Sequence, residues 1–406
     1  MSDLNFIGNA VAIKDAWTVT VANTWAAADT ATLTINGKDL VVTIGSLVTT
    51  AEVAVTIKQA WQSEAFTDTT ASCSPSGGGT TIPEMAELTA TVSGSVVTLT
   101  ADTAGVKHTI SVTESTAGTG TATGAHAITA TGPSYVDNID NYAEGAAPAG
   151  TEDLYIDRAV SMLYATDQNA ITLNSLNFLP GMTSTAYVGL PFRNANGYEE
   201  YREDELKIGA TTVNCRATSG RIKLNVGTVQ CAANIYTTGT SAESNRRAFQ
   251  WRGTHASNVV NVFGGDVGIG ANNEAATVAT IRQTGGTLEV GANVTATTIS
   301  KGDGTMILRC AATTVTNDAG TLTHWGGAIT TLNNTGTFYE NGAGTITTAN
   351  LYNKSILDLS GSAAAITITT INVYGEVAII DPQNRLTITN TPTVQRGGKL
   401  TFKKTA

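Results

Sequence analysis

Apolar and polar positions alternate along residues 17–21, 31–36 and 39–44, the period of two that a strand with one buried face requires. Asn36-Gly37 separates the last two runs, and this dipeptide readily adopts the positive φ angles of a type I′ turn, so a hairpin is predicted. Over residues 50–64 the period becomes helical. Val53, Ile57, Ala60 and Trp61 fall on one face, behind Thr49 or Thr50 as an N-cap. Strand patterns resume at 86–92 and 96–100, joined through Ser93-Gly94-Ser95, and again at 108–114. Residues 1–14 thus read as an N-terminal arm and 15–132 as a small β-rich α/β module, a sheet covered by one helix. Two stretches of the module lack apolar periodicity. Residues 67–81, containing Ser74-Pro75-Ser76-Gly77-Gly78-Gly79, are expected to be an exposed loop; residues 115–132, rich in Gly, Thr and Ala, a linker or long edge loop.

A longer period governs the rest of the chain. Gly286-Thr287-Leu288, Gly304-Thr305-Met306, Gly320-Thr321-Leu322 and Gly336-Thr337-Phe338 each place an apolar anchor after a short turn, at spacings of 18, 16 and 16 residues. Ile356, Val377 and Leu400 extend the series, and a second apolar position, such as Ile329 or Ile346, recurs between anchors. One such coil cannot bury its inward residues, but stacked coils set Leu above Met above Leu in a continuous column. A parallel β-helix (solenoid) is predicted over 206–406, preceded by a junction and capping region over 133–205, and the fold class is mainly β. Thr212-Val213-Asn214-Cys215 matches Thr228-Val229-Gln230-Cys231 at a spacing of 16. That match stacks Cys215 and Cys231 in adjacent coils, as buried free thiols or, given suitable Cβ geometry, as a disulfide. The charge run from Tyr198 to Glu205 is expected to be a solvated loop, with an interface for a basic neighbour as the functional alternative.

Composition reinforces the β reading. Only 14% of residues are charged, against about 25% in an average globular protein, and there are 41 glycines. The net charge of −10 repels phosphate backbones, so no direct nucleic-acid partner is expected. No stretch approaches 20 consecutive apolar residues, and the first residues lack the basic and apolar regions of a secretion signal. Neither membrane insertion nor export is expected. The four cysteines are far apart with no CxxC pair, which argues against a zinc site.

Candidate chemistry is sparse, and no catalytic, cofactor-binding or metal-ligating residue is predicted. Asp137, Asp140, Asp153 and Asp157 cluster in sequence and could supply paired carboxylates for glycoside chemistry, but turn formation at the junction is the simpler role. Asp303, Asp318, Asp358 and Asp381 do not recur at matching coil positions. Gly264-Gly265-Asp266 occurs once, where calcium-binding repeats need tandem neighbours, and 265–270 is glycine-rich without G-x-G-x-x-G spacing. The Gly77–Gly79 run lacks the Lys and Ser/Thr of a phosphate loop, and Cys73 beside it is a lone thiol. His108, His126, His255 and His324 are dispersed. Trp251, Trp325, Tyr339, Tyr352 and Tyr374 would form a sugar-binding surface if they faced outward; inward stacking is the commoner arrangement.

The stretch from Thr18 through Trp25 to Lys38, with Asn36-Gly37 at its turn, and the stretch from Ala90 to Gly105 resemble N-terminal modules of phage and prophage virion proteins. In such sequences Gly-Pro followed by Asn-x-x-Asn-Trp leads into a β-helical body. Gly132-Pro133 and Asn138-Ile139-Asp140-Asn141-Tyr142 occupy that place, with Tyr for Trp. The resemblance covers the first third of the chain and carries over no catalytic residue. It implies a non-enzymatic structural protein of a tailed-phage virion, assembled in the host cytoplasm. A capsid decoration or head-projection subunit is expected, a homotrimer with the major capsid protein or other virion proteins as partners. The alternatives are a tail fibre or spike, a glycan-binding adhesin contacting a cell-surface glycan, and a polysaccharide-degrading β-helix enzyme.

Overall fold

The computed structural model describes residues 2–76, 82–189, 204–240 and 247–403. It is mainly β, with one α-helix, and the chain divides into two units.

The first unit is built on residues 8–141. It holds two four-stranded antiparallel sheets. One orders Leu88–Ser93, Val96–Ala101, Ala16–Ala22 and Thr121–Ile128; the other orders Ser72–Pro75, Lys38–Thr43, Thr30–Ile35 and Ile110–Ser115. Alternation along Thr30–Ile35 buries Ala31, Leu33 and Ile35, and Asn36 and Gly37 take φ of 50° and 83° in the expected hairpin turn. The helix Thr50–Trp61 is closed by a capping box: Thr49 Oγ1 accepts from the Glu52 N–H, and the Glu52 carboxylate accepts from the Thr49 N–H at 3.0 Å. Its buried face, Val53, Ile57, Ala60 and Trp61, joins Val19, Leu33, Val97 and Leu99 in the core.

Two expectations for this unit are corrected. Inside the stretch 115–132, expected to be a linker or long edge loop, residues 121–128 form an edge strand paired antiparallel with Ala16–Ala22. Among its outer residues only Ala122 is buried, so backbone pairing rather than apolar burial holds it, and no apolar pattern announced it. In the same way Ser72–Pro75 adds an edge strand inside the expected 67–81 loop. The glycine run Gly77–Gly79 lies outside the described residues.

The second unit is a parallel β-solenoid of about 12 turns. Its first strand is Asp3–Phe6, paired in parallel with Asp153–Ile156, so residues expected to form an arm belong to the stack, and coil strands precede residue 206. That edge is covered locally. The Ala143 N–H donates to the Asn5 carbonyl at 3.0 Å, while Glu144 accepts from the Asn5 N–H at 2.8 Å and from Asn5 Nδ2 at 2.7 Å. A carboxylate therefore stands where a neighbouring strand would present its carbonyl.

Within the stack, Leu288, Met306, Leu322 and Phe338 align in register and are fully buried, as the anchor spacing predicts. Ile329 and Ile346 pair likewise on another side of the coil. The glycine ahead of the first three anchors has a physical cause. Gly286, Gly304 and Gly320 take φ of 70°, 85° and 72°, and a Cβ on Gly304 would lie 2.4 Å from the Gly286 carbonyl oxygen. The series slips by one residue afterwards. Leu357, not Ile356, stacks on Phe338, and Ile356 points outward, because the corner before it, residues 352–355, is longer than residues 335–336 of the preceding coil. Cys215 pairs with Ile235, leaving Cys231 in the turn before that strand. The two thiols do not occupy matching positions; both are free and buried.

Candidate binding face

One regular surface of the solenoid grows from an apolar-Asn-apolar pattern. Val213-Asn214-Cys215, Ala233-Asn234-Ile235 and Val260-Asn261-Val262 bury their flanking residues and turn the central amide outward. Parallel pairing puts these amides one above another, where they bond side chain to side chain. Asn214 Nδ2 donates to Asn177 Oδ1 at 2.9 Å, Asn234 to Asn214 at 3.2 Å, and Asn261 to Asn234 at 2.9 Å. The column passes through Arg282, Ser300 and Thr316 and returns to asparagine, with Asn350 donating to Asn333 and Asn372 to Asn350, both at 2.9 Å. Two residues earlier in each strand runs a threonine column: Thr280, Thr298, Thr314, Thr331, Thr348 and Thr370 align in successive coils, all half-buried. Two residues later come aromatic and basic side chains. Arg216 lies 4.4 Å over the Tyr236 ring, which stacks on Phe263 at 4.9 Å. Further along, Tyr352 stacks on Tyr374 at 5.1 Å.

The five aromatics singled out in the sequence mostly face outward, contrary to the commoner arrangement. Trp251 alone is inward and buried; Trp325 and Tyr374 are 47% and 44% exposed, and Tyr339 and Tyr352 are half-buried. The Arg309 guanidinium sits 5.6 Å over Trp325 and bonds Glu289 at 2.7 Å; Glu289 also receives Arg247. Burial pushes the Glu289 carboxyl up, but hydrogen bonds from Arg309 and Arg247 outweigh it and hold the group below the ordinary range.

A second column is polar and faces inward. Gln283, Lys301, Asn317 and Asn334 are completely buried at one coil position. Their amide or ammonium groups donate to carbonyls of the neighbouring corners: Gln283 to Gly286 and Thr305, Lys301 to Ala319, Asn317 to Thr337, Asn334 to Ile356. Sharp corners leave carbonyls without a ladder partner, and these side chains supply the missing donors. Burial lowers the Lys301 pKa, opposed by the charges of Asp303 and Asp318.

The acidic candidates resolve into local roles. Asp137 and Asp140 are exposed turn residues of the first unit. In the solenoid Asp153 accepts from Asn174 at 2.7 Å, and Asp157 from the Gly181 N–H at 2.7 Å. Asp303, Asp358 and Asp381 accept from nearby backbone N–H groups, and Asp318 is exposed. Asp266 bonds Arg247 at 3.0 Å at the head of a strand bounded by Gly265 and Gly270, both with positive φ. Of the charge run, residues 198–203 lie outside the described residues. Glu205 is buried rather than solvated, and burial raising its pKa is outweighed by Arg252 and Asn225. No group of three or more His, Cys, Asp or Glu able to hold a metal occurs among the described residues.

Two constellations escaped sequence reasoning. Asp15, fully buried, accepts from His126 Nε2 at 2.6 Å, Trp17 Nε1 at 3.1 Å and the His108 and Ala130 N–H groups at 3.0 and 3.1 Å. His324 and Glu340, 16 residues apart and both buried, meet at 2.7 Å inside adjacent coils. Long separation hid the first; the coil period, once the register is known, accounts for the second. His255 caps a turn by accepting from the Ser257 N–H.

What the outer surface offers is repetition. Amides, hydroxyls and rings recur at the strand spacing, about 4.8 Å, on a sheet whose backbone is already paired. Such a face presents hydrogen-bonding groups and rings at regular intervals along the stack. No family model, no curated protein and no solved structure matches this chain.

Proposed function

We propose that the protein is a non-enzymatic structural subunit of a tailed-phage virion, a capsid decoration or head-projection subunit that assembles as a homotrimer on the major capsid protein. The observation that supports this reading most is the pair of asparagine ladders, Asn177 to Asn261 and Asn333 to Asn372, in which side chains bond from coil to coil. Side-chain bonds between coils lock their register and make the body a stiff, non-extensible rod, which suits a part that bears load. The resemblance of the segments around Asn36-Gly37 and Ser93-Gly94-Ser95 to virion modules supports the particle as the location. Mass spectrometry of density-purified particles, with sedimentation of the isolated chain, tests it. The chain is expected in intact particles and as a species of three times the 41.8 kDa monomer mass. Absence from particles that contain the capsid protein would remove this reading.

A second reading, a tail fibre or adhesin that contacts a surface glycan, is favoured by the outward Trp325, Tyr339, Tyr352 and Tyr374. Labelling of particles with antibody to the solenoid separates the two, since tail-confined label excludes the capsid.

A further inference from the structure

We propose that a groove on the outer face of the last described coils binds a short stretch of acidic polysaccharide. The groove, of about 200 Å³, crosses three parallel strands. Ile356, Ala378 and Thr401 stand in register along its floor, and Lys354, Lys399, Lys403 and Glu376 line it.

Charge sets the class of ligand. The chain carries a net −10, yet three ammonium groups meet one carboxylate here. Lys38, Lys58, Lys207 and Lys223 each pair with a carboxylate, whereas Lys354, Lys399 and Lys403 have none within 4.0 Å among the described residues. Lys354 is also held in the left-handed backbone region at φ 66°, with its N–H donating to the Glu376 carbonyl at 2.7 Å. A lysine in that conformation is uncommon, and here it projects from a fixed corner.

The surroundings choose among anionic partners. Strand Glu376–Ile380 is already paired on both sides, with Ile356–Asp358 and Lys399–Lys403, so an acidic peptide cannot add a strand to it; one added at the other edge of Lys399–Lys403 would stand two strands further out than Glu376–Ile380 and away from Lys354. Recognition falls to side chains. The stacked Tyr352 and Tyr374 lie outside the lining, two residues before Lys354 and Glu376 in sequence, and the exposed Tyr374 offers an amphipathic ring for the C–H face of a sugar that extends beyond the groove. Uronate carboxylates then meet the lysines, and ring hydroxyls meet Thr401. This names a ligand class for the glycan-contacting reading above and rests on that reading; the capsid assignment stands or falls separately, on particle composition.

Binding of the full chain to polygalacturonate, neutral dextran and polyglutamate, by calorimetry at low and high salt, tests the site. Polygalacturonate should bind, weaken with salt, and lose at least tenfold in affinity in Lys399→Glu/Lys403→Glu, while Tyr374→Ala weakens it severalfold. The control Lys14→Glu/Lys107→Glu, made at exposed lysines of the other unit, should bind as the parent does. Circular dichroism confirms that each variant is folded. No binding, equal binding to dextran, tighter binding to polyglutamate, or unchanged affinity in the folded groove variant overturns the proposal.

Discussion

The Nδ2 of Asn261 donates to the Oδ1 of Asn234 at 2.9 Å across adjacent coils, while Asn234 in turn donates to Asn214. Asn234 is thus both donor and acceptor, and Asn234→Ala interrupts two bonds at a half-buried position. Each is worth about 0.5–1.5 kcal/mol net, so the substitution should cost about 1–3 kcal/mol. Because solenoid stability is a sum over neighbouring repeats, the effect should be local. Hydrogen exchange should quicken in strands 212–215, 232–235 and 259–262 and stay unchanged in 366–374. Uniform loss along the stack would contradict a local ladder.

The slip at Leu357 yields a sharper test, because neighbouring residues of similar chemistry should behave oppositely. Leu357 is fully buried on Phe338, whereas Ile356 is outward and half-buried. Leu357→Ala should cost about 2–5 kcal/mol through lost burial and a residual cavity, and Ile356→Ala under about 1 kcal/mol. Urea unfolding of the two variants checks the register; equal costs would refute it.

Much of this architecture was legible because period and burial are coupled. The anchors Leu288, Met306, Leu322 and Phe338 each follow a Gly-Thr step, so spacing alone placed them in one column. The same reasoning failed at Ile356, where the longer corner through Lys354 shifts phase by one, and a phase shift exchanges inside for outside. Edge strands 72–75 and 121–128 were illegible for another reason: they are held by backbone pairing and bury almost no side chain. The outer face lay between these cases. Apolar-Asn-apolar triplets at 213–215, 233–235 and 260–262 are visible in the sequence, but asparagine serves turns so often that only the parallel register separates a ladder from a corner. Partnerships such as buried Asp15 with His126 depend on contacts 111 residues apart, which no local pattern encodes.

Thiol reactivity should divide the cysteines three to one. Burial pushes Cys215, Cys231 and Cys310 up to about 12, so almost no thiolate forms at neutral pH and no reagent reaches it. Cys73 is exposed on its edge strand, with its pKa raised by partial burial. One thiol per chain should therefore react with a disulfide reagent in the native protein, faster as pH rises, and four in denaturant. Two in denaturant would mean that Cys215 and Cys231 are bonded.

Asp68 should make the first unit sensitive to acid. Its carboxylate accepts from the Leu47 N–H at 2.7 Å, from the Thr70 hydroxyl and N–H at 2.6 and 3.0 Å, and from the Ser46 hydroxyl at 3.3 Å. The Leu47 bond first and the Thr70 hydroxyl second favour the charged form over burial and lower the pKa from 3.8 to about 2. A folded pKa below the unfolded one stabilises at pH above about 4, and that contribution is lost as pH falls through about 2. Melting temperature should accordingly drop over this window in the parent. Asp68→Asn should start lower at pH 7 and change less across the same interval, because its side chain does not titrate. Gly45→Ala offers an independent route to the same loop, since its Cβ would come 2.4 Å from Asp68 Oδ2 and displace the carboxylate. If Asp68→Asn instead retains the parent's full acid response, other carboxylates set it, and the loop that Asp68 ties to Leu47 and Thr70 is not the acid-labile element.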